Sequence, residues 1–367
     1  MSEPLSPPPL SRVSPAGSGR PKARLSVATA FSSVVYATTL FVTVGFAAEE
    51  DAVAVPDLVA AAYAPAVTVG QITDEKYTEI SGLARSGLRP DLLWAINDSG
   101  NEPYVQALGI DGTPRGEVRI QGAENVDWED LASFHTRDKA YLLIADIGDN
   151  EAQRESATFY IIEEPEFSGE VLPDRFRALV AWQVEFTYPD GPRNAEAAAV
   201  DADRQAILIL AKDKDRAQLF DLPLFPPARG QKRTARLRTE AFGIPAPTEA
   251  DIREDPKYGA LRSQVTAMDI APDRSAMTVL TYAAAYRYER RPMDDWRRAL
   301  DRAPQVIALP RLNQAEALAY GGEDHSIFVT SEQLPAPLLR LAPAPVAAST
   351  ASVPNGSATD TSQANSP

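Results

Sequence analysis

A loose unit that recurs five times along the chain constrains the fold more than any other feature. Each copy opens with a short β-prone segment and passes through a polar turn into an apolar strand, and most copies then offer two further candidate strands. Four-stranded units that repeat at such intervals predict a β-propeller. The opening segments are Ile80-Ser-Gly-Leu-Ala84, Trp128-Glu-Asp-Leu-Ala132, Ala195-Glu-Ala-Ala-Ala199, Thr266-Ala-Met-Asp-Ile270 and Ala315-Glu-Ala-Leu-Ala319.

The spacing of the copies predicts an all-β propeller of five blades and leaves six open. Two of the intervals between copies are long, and we assign loops to them at about residues 164–176 and 243–262, neither with room for a further blade. The last copy supplies three strands at most, so a spare strand at about residues 67–72 is expected to complete it and close the ring. A β-sandwich is the rival fold, and the repeat argues against it.

Composition limits the chemistry and the partners. The chain has 367 residues, 44% of them hydrophobic, which is enough for a large core. It has no cysteine, and its two histidines, His135 and His325, fall in predicted turns, so thiolate sites, zinc sites and histidine triads are not expected. The formal net charge of −15 argues against nucleic acid and anionic membranes. The expected partner is a small molecule or an envelope protein, and the expected state is a monomer.

Residues 1–47 have the pattern of an export signal. Arg20, Lys22 and Arg24 precede an uncharged, mostly apolar stretch from Leu25 to Phe46, and Gly45-Phe46-Ala47 fits a small-x-small cleavage site. Cleavage there predicts a periplasmic or extracellular protein. The alternative is an uncleaved anchor, since the apolar stretch is long enough to span a bilayer, and this segment would be the only contact with a membrane.

The rest of the chain divides into three segments by composition. Residues 48–66 are rich in alanine, valine and proline and are interpreted as a linker. Residues 67–341 carry the repeats and form the predicted propeller. Residues 342–367 are a run of Ala, Pro, Ser, Thr and Asn without apolar periodicity, which predicts a disordered tail.

Acidic residues at equivalent places in the repeats are the clearest indication of function. The first strand of each propeller blade lines the central channel, and Glu129, Glu196 and Glu316 occupy the same place in their first strands. Ser81 occupies that place in the first copy, and Thr266 does so in the fourth after an offset of one residue. Symmetry is therefore expected to bring three carboxylates together around the channel axis.

Further polar residues follow the second strands, where loops gather at one mouth of the channel. Oxygen ligands without cysteine or a usable histidine suit a hard cation, so we expect calcium first and magnesium second. The predicted metal ligands are Asp98, Glu129, Asp146, Asp149, Glu196 and Glu316. The predicted substrate-binding residues are Asn97, Asn150 and Lys212.

A purely structural interpretation of these residues stays open. The acids can cap strand ends, accept hydrogen bonds from turns, or pair with a nearby cation such as Arg154. Lys212 can bind an anion at the channel mouth or pair with a neighbouring acid. Trp128, next to Glu129, is either core packing or a wall of the site.

Six acid-rich motifs recur along residues 76–341. They are Asn97-Asp-Ser-Gly-Asn101, Asp127-Trp-Glu-Asp-Leu-Ala132, Asp146-Ile-Gly-Asp-Asn150, Glu163-Glu-Pro165, Asn194-Ala-Glu-Ala197 and Gln314-Ala-Glu-Ala317. This series resembles a family of exported bacterial propeller proteins, mostly without an assigned activity. More distantly, the ring of acids is similar to calcium-dependent propeller hydrolases, namely gluconolactonases, paraoxonases and phytases. That similarity implies metal ligands at Glu129, Glu196 and Glu316, although the chain lacks the asparagine-rich ligand set and the channel histidine of those enzymes.

Two functions follow as hypotheses. The first is a calcium-dependent hydrolase of a phosphoester or lactone, in which Glu129 holds the metal and Asp127 or Asp149 acts as the catalytic base. The second is a non-catalytic binding or scaffold propeller of the cell envelope, in which the acids only brace the ring. A channel blocked by Trp128, with every acid paired, favours the scaffold. Unpaired carboxylates within about 5 Å of one point favour the metal.

Overall fold

The computed structural model of the chain describes residues 63–212, 216–228, 231–241 and 243–344. All of them belong to the second of two compact units, Leu58–Pro367, the first being Met1–Asp57. The predicted export signal, and most of the predicted linker and tail, lie outside the described residues and stay predictions. No helix among the described residues is long and apolar enough to span a membrane.

The described strands pair into antiparallel units of four, which we call blades 1 to 5. Blade 1 consists of β2 (Ile80–Arg85), β3 (Leu92–Asn97), β4 (Tyr104–Gly109) and β5 (Pro114–Gln121). Blade 2 consists of β6 (Trp128–Thr136), β7 (Lys139–Asp146), β8 (Ala157–Glu163) and β9 (Phe176–Thr187). Blade 3 consists of β10 (Ala195–Asp201), β11 (Ala206–Ala211), β12 (Gln218–Pro223) and β14 (Arg236–Glu240), and the short β13 (Arg233–Thr234) pairs with β9.

The last two blades complete the ring. Blade 4 consists of β15 (Val265–Ile270), β16 (Ala276–Thr281), β17 (Ala284–Glu289) and β18 (Gln305–Ala308). Blade 5 consists of β19 (Ala315–Tyr320), β20 (Ile327–Ser331), β21 (Ala336–Leu341) and, from the other end of the described chain, β1 (Val67–Ile72). The innermost strands β2, β6, β10, β15 and β19 each pack between two others, and β19 packs against β2. The predicted propeller of four-stranded blades is confirmed, as is the closing role of the spare strand.

Within the described residues, helical structure is confined to the connections between strands. The helix α1 (Glu249–Glu254) and a 3₁₀ turn at Gly259–Leu261 lie in the long connection between blades 3 and 4. The helix α2 (Trp296–Leu300) lies between β17 and β18, and a second 3₁₀ turn spans Glu75–Tyr77. Thr248 and Asp251 form a reciprocal capping box at the start of α1, which satisfies the free amides of that first turn.

The innermost strands are rich in alanine because they crowd around a narrow axis. Ala197, Ala198 and Ala199 in β10 are completely buried. At Gly82 in β2, an added Cβ would lie 2.7 Å from the backbone nitrogen of Leu131 in β6. Small side chains at these positions therefore let neighbouring strands approach.

The hydrophobic core lies between neighbouring blades. Trp94 and Trp128 are completely buried in the cluster between blades 1 and 2. Phe159, Phe186 and Phe220 are completely buried in the cluster between blades 2 and 3. Truncating one such aromatic side chain to alanine costs about 3–5 kcal/mol. This packing holds the inner strands, and hence the channel residues, in fixed positions.

Every innermost strand carries a bulge of one residue near its start. The pairing with the second strand of the blade skips one position in each of β2, β6, β10, β15 and β19. A bulge breaks the alternation of the strand and redirects the extra side chain. The skipped residues are Ser81, Glu129, Glu196, Thr266 and Glu316. The five positions are therefore equivalent in the structure, and Thr266 itself, without an offset, is the fourth member.

Blades 1 and 2 are joined at their outer edges, which the repeat pattern does not predict. The outermost strand β5 pairs in parallel with the start of β9, from Val118 opposite Phe176 to Gln121 opposite Leu179. The 12-residue β9 is long enough to serve both blades. This pairing covers an otherwise exposed strand edge.

Candidate metal centre at the channel mouth

The side chains of the five bulge residues are all buried, and they fall into two kinds, hydroxyl groups and carboxylates. The Ser81 hydroxyl donates to the carbonyl of Trp128 at 2.7 Å, and the Thr266 hydroxyl donates to the carbonyl of Ala315 at 2.7 Å. Each hydroxyl is thus satisfied by the backbone next to the bulge of the following blade. Glu129, Glu196 and Glu316 are also buried, but a carboxylate cannot donate and needs partners of its own.

Three carboxylates from blades 1 and 2 meet at one point. Asp98 follows β3, Asp127 precedes β6 and Glu129 is the bulge residue of β6, and one oxygen from each lies within 4.8 Å of the others. Glu129 is only 6% exposed, and no donor among the described residues forms a hydrogen bond with its carboxylate. We call these three residues the acid triad.

The triad cannot comfortably hold three negative charges on its own. Burial raises the pKa of Glu129 well above its usual range, and the charges of Glu196, Asp98 and Asp127 raise it further. Burial and the neighbouring Asp98 raise the pKa of Asp127 to about 6, and burial raises that of Asp98. A bound cation or added protons would relieve this repulsion.

Gly148 lies against the acid triad, and because it has no side chain, the carboxylates of Glu129 and Asp127 fit beside it. A Cβ on Gly148 would lie 2.1 Å from Oε1 of Glu129 and 2.4 Å from Oδ2 of Asp127. The amides of Ile147 and Gly148 donate to the carbonyl of Asp127 at 3.2 and 3.1 Å, which holds the loop after β7 against the start of β6. The glycine of the Asp146-Ile-Gly-Asp-Asn150 motif is therefore part of the wall of the site.

Asp146 and Asp149, predicted as metal ligands, are engaged in shaping that loop. Asp146 is completely buried and pairs with the Arg154 guanidinium at 2.8 Å. The two oxygens of Asp149 accept from the amides of Gln153 and Arg154 at 2.8 Å each. Arg154 also donates to the carbonyl of Gly148 at 2.7 Å. The structure does not bring Asp146 or Asp149 into the triad, and Asp149, also predicted as a base, has both oxygens in hydrogen bonds.

Glu196 has two side-chain donors, both on one oxygen. Its Oε1 accepts from Lys212 Nζ at 2.8 Å and from the amide group of Asn194 at 2.7 Å. Asn194 in turn donates to Asn150 at 3.0 Å and accepts from the amide of Asp149 at 2.8 Å. Lys212, predicted to bind substrate, thus pairs with an acid, which is the alternative that the sequence left open for it.

Glu316 is also paired, with neutral donors. Its Oε1 accepts from the Tyr282 hydroxyl at 2.8 Å and from Gln314 at 3.2 Å, and Gln314 donates to Glu332 at 2.8 Å. Burial and the charge of Glu316 raise the pKa of Glu332 to about 9, so this pair of carboxyl groups holds a proton at neutral pH. Burial also raises the pKa of Glu316.

Asn97 and Trp128 both donate hydrogen bonds to backbone carbonyls, which is a structural role. Asn97 donates to the carbonyl of Lys76 at 2.9 Å, while its own Oδ1 is buried without a partner among the described residues. Trp128 is completely buried in the core, and its indole donates to the carbonyl of Glu124 at 2.9 Å. The safer of the two interpretations of Trp128, core packing, is therefore confirmed.

Several residues that build the site were missed by the sequence analysis. Asn125 donates to the carbonyls of Asn97 and Asp98 at 3.0 and 2.8 Å and so fixes the loop that carries Asp98. A usable signal exists for Asn194 and Gln314, which each stand two residues before the bulge glutamate of their blade, as Asp127, already predicted as a base, does in blade 2. An amide at this position supplies one side-chain donor to the glutamate.

The fold and the site define a propeller with a cluster of buried carboxylates at its channel. Two similar solved structures are a luciferin-regenerating enzyme (10% identity, TM-score 0.36, 74% of this chain and 95% of that one) and XC5397 of Xanthomonas campestris, described as a gluconolactonase (11% identity, TM-score 0.38, 72% and 71%). At these identities and TM-scores the two similarities transfer no activity to this chain. A comparison with protein-family models gives no match, and neither does one with curated proteins.

Proposed function

We propose that the channel mouth binds a divalent cation, calcium first and magnesium second, through Asp98, Asp127 and Glu129. One observation carries the proposal: three carboxylate oxygens lie within 4.8 Å of one another, and none of the three side chains is in a salt bridge with a described residue. A buried carboxylate without a donor is costly, and a cation compensates it directly.

The donor set fits calcium better than it fits protons alone. Calcium binds carboxylate oxygens at about 2.3–2.6 Å in flexible geometry, so three nearby carboxylates supply part of its usual shell of six to eight oxygens. Asp127, with its pKa raised to about 6, gives up its proton at neutral pH and then becomes a ligand. Gly148 offers no side chain to fill the space that the carboxylates face.

Hydrolysis of a phosphoester or lactone is the enzymatic form of this proposal. When bound, the cation would supply Lewis-acid polarisation of a substrate oxygen. Asp127 is the better placed of the two predicted bases, because it belongs to the acid triad; as a base it would leave Asp98 and Glu129 to hold the cation. Asp149 is less suited, since its carboxylate already accepts two backbone amides.

A non-catalytic scaffold is the second candidate, and the pairing of several predicted ligands favours it. Asp146 pairs with Arg154 and Glu196 with Lys212, each at 2.8 Å, and both pairs brace the ring. In that case the triad would hold protons instead of a cation. An envelope location and an envelope partner are proposals that rest on residues 1–47.

Thermal unfolding separates the two candidates. The full chain is treated with a chelator and unfolded with and without added calcium, because a ligand that binds only the folded state must raise the midpoint by mass action. We expect a shift of several degrees that is lost in Glu129→Gln. Glu163→Gln is the matched control, since Glu163 is an exposed glutamate of the β8 end that pairs with Lys139. No shift at millimolar calcium contradicts the cation site and favours the scaffold.

A further inference from the structure

A large cavity lies beside the channel mouth, outside the acid triad. Its volume is about 830 Å³, which is within the range of about 300–1,000 Å³ that small-molecule sites occupy. One wall comes from the connection between blades 3 and 4, which carries α1, and the other from residues 309–314 just before β19. None of the predicted site residues lines it.

The cavity touches the mouth through two residues that hold Glu316. Tyr282 and Gln314 both line the cavity, and both donate to Oε1 of Glu316. Gln333, a third lining residue, donates to Gln314 at 3.0 Å. A molecule in the cavity would therefore contact the neutral donors that surround Glu316 at the channel mouth.

The lining of the cavity carries more basic than acidic residues, in contrast to the acidic chain as a whole. Lys257, Arg262 and Arg311 line the cavity against only two acids, Glu254 and Asp255, although the whole chain has a net charge of −15. Asp255 is engaged by Arg311 at 3.1 Å and by the backbone amides of Lys257 and Tyr258.

Lys257 is the cation best placed to meet a ligand. It forms no salt bridge with a described residue, and its Nζ lies 4.5 Å from the centroid of the Tyr258 ring. The same cavity has an apolar component, because Leu261, Leu309 and Leu312 also line it. Cationic and apolar groups thus line the same cavity.

We propose that this cavity binds an amphiphilic organic anion, with its charged group toward Lys257 and its apolar body against Leu261 and Leu312. Arg262, which pairs with Asp251 at 3.1 Å, would contribute less. The ligand would be a phosphate or carboxylate that carries an aromatic or alkyl group. The proposal goes beyond the cation site and does not depend on it, since no triad residue lines the cavity.

Calorimetric titration of the full chain with 1-naphthyl phosphate tests the proposal. Inorganic phosphate supplies the charge without the apolar body, and 1-naphthol supplies the body without the charge. We expect 1-naphthyl phosphate to bind at least tenfold more tightly than either. Leu261→Trp, which fills the cavity, and Lys257→Gln should each weaken its binding at least fivefold. Lys139→Gln, at an exposed lysine of the β6–β7 hairpin, should leave it unchanged.

Three results would overturn the proposal. They are no binding of 1-naphthyl phosphate at millimolar concentration, equal binding of inorganic phosphate, and unchanged binding by a Leu261→Trp variant that folds with the wild-type unfolding midpoint. Repeating the titration with chelator separates the two sites. Binding that disappears with the chelator, and is insensitive to Lys257→Gln, places the anion at the cation site instead. Calcium-dependent stabilisation, measured separately, reports on the acid triad alone.

Discussion

The two halves of the channel mouth carry the same glutamate at equivalent bulges but treat its charge in opposite ways. In blades 3 and 5, Glu196 and Glu316 each accept at least two hydrogen bonds from side chains. In blade 2, Glu129 is buried as deeply and accepts none from the described residues. We call these the paired half and the unpaired half.

Part of the difference originates two residues before the bulge. Asn194 and Gln314 stand there in the paired half, and their amide groups donate to the glutamate that follows. Asp127 stands there in the unpaired half, and an ionised carboxylate can only accept. An acid in place of the amide therefore removes one of the two donors that each paired glutamate has, the other being Lys212 or Tyr282.

Removal of the Lys212 ammonium group from the paired half should have the largest effect on the free energy of unfolding. Lys212→Met leaves Glu196 buried beside other acids with Asn194 as its remaining donor, and breaking a buried pair in this way costs about 3–5 kcal/mol. Urea unfolding measures the loss. The double variant Lys212→Met/Glu196→Gln should recover most of it, because the stranded charge is then gone. A loss below about 1 kcal/mol would mean that the pair is not structural.

The next largest effect should come from converting the unpaired half into a paired one. Asp127→Asn places an amide where Asn194 stands in blade 3, so it should donate to Glu129 and raise the unfolding free energy in chelator by about 1 kcal/mol. It should also abolish calcium stabilisation, which amounts to about 2.7 kcal/mol at a calcium concentration of 100 Kd. Urea unfolding with and without calcium measures both.

Asp127→Ala is the matched control for this conversion. Alanine removes the ligand but supplies no donor, so it should lose the calcium effect without the gain in chelator. If Asp127→Ala and Asp127→Asn stabilise the chelated protein equally, repulsion and not the missing donor accounts for the difference between the halves.

The fold was predictable because its signals are local and repeated. The apolar second strands and the alignment of Ser81, Glu129, Glu196 and Glu316 can be found in the sequence alone. The register of Thr266 could not be fixed, since a bulge shifts the alternation by one residue without a sequence mark. The parallel pairing of β5 with β9 was also out of reach, because it joins two blades that the repeat treats as separate.

The site was predictable only as a set of acids around one axis. Which acids meet depends on loops of different blades, and the sequence does not say that Asp98 approaches Asp127 while Asp146 turns to Arg154. The cavity beside the mouth arises from the connection between blades 3 and 4, to which the repeat assigned only a loop. Local pattern thus gives the positions of the charges, and tertiary structure decides their partners.

A smaller effect is expected from reducing the space around Glu129 and Asp127 in the unpaired half. Gly148→Ala directs a methyl group at Glu129 and Asp127, and these flexible side chains must move away. We expect calcium affinity to fall about tenfold, equivalent to about 1.4 kcal/mol, with little change in unfolding in chelator. Gly322→Ala is the control, since nothing lies within 4 Å of a Cβ at that position. Unchanged calcium affinity in Gly148→Ala would place the cation elsewhere.

The smallest effect should appear in the pH dependence, where the two halves lose protons in different ranges. Burial and Glu316 raise the folded-state pKa of Glu332 to about 9, above an unfolded value of about 4.3. The folded state therefore holds a proton that the unfolded state has released, so this stability is complete below about pH 4.3 and is lost as the pH rises through 9.

Glu332→Gln removes that contribution, and its unfolding midpoint should gain on the wild type by a few degrees at most between about pH 4 and pH 9. The gain is small because Glu332 is half-buried and solvent screens its interaction with Glu316. Asp127→Asn, with a pKa of about 6 to remove, should show its relative gain between about pH 4 and pH 7 instead. Identical pH ranges for the two variants would mean that the paired and unpaired halves titrate as one network, and the distinction between them would fail.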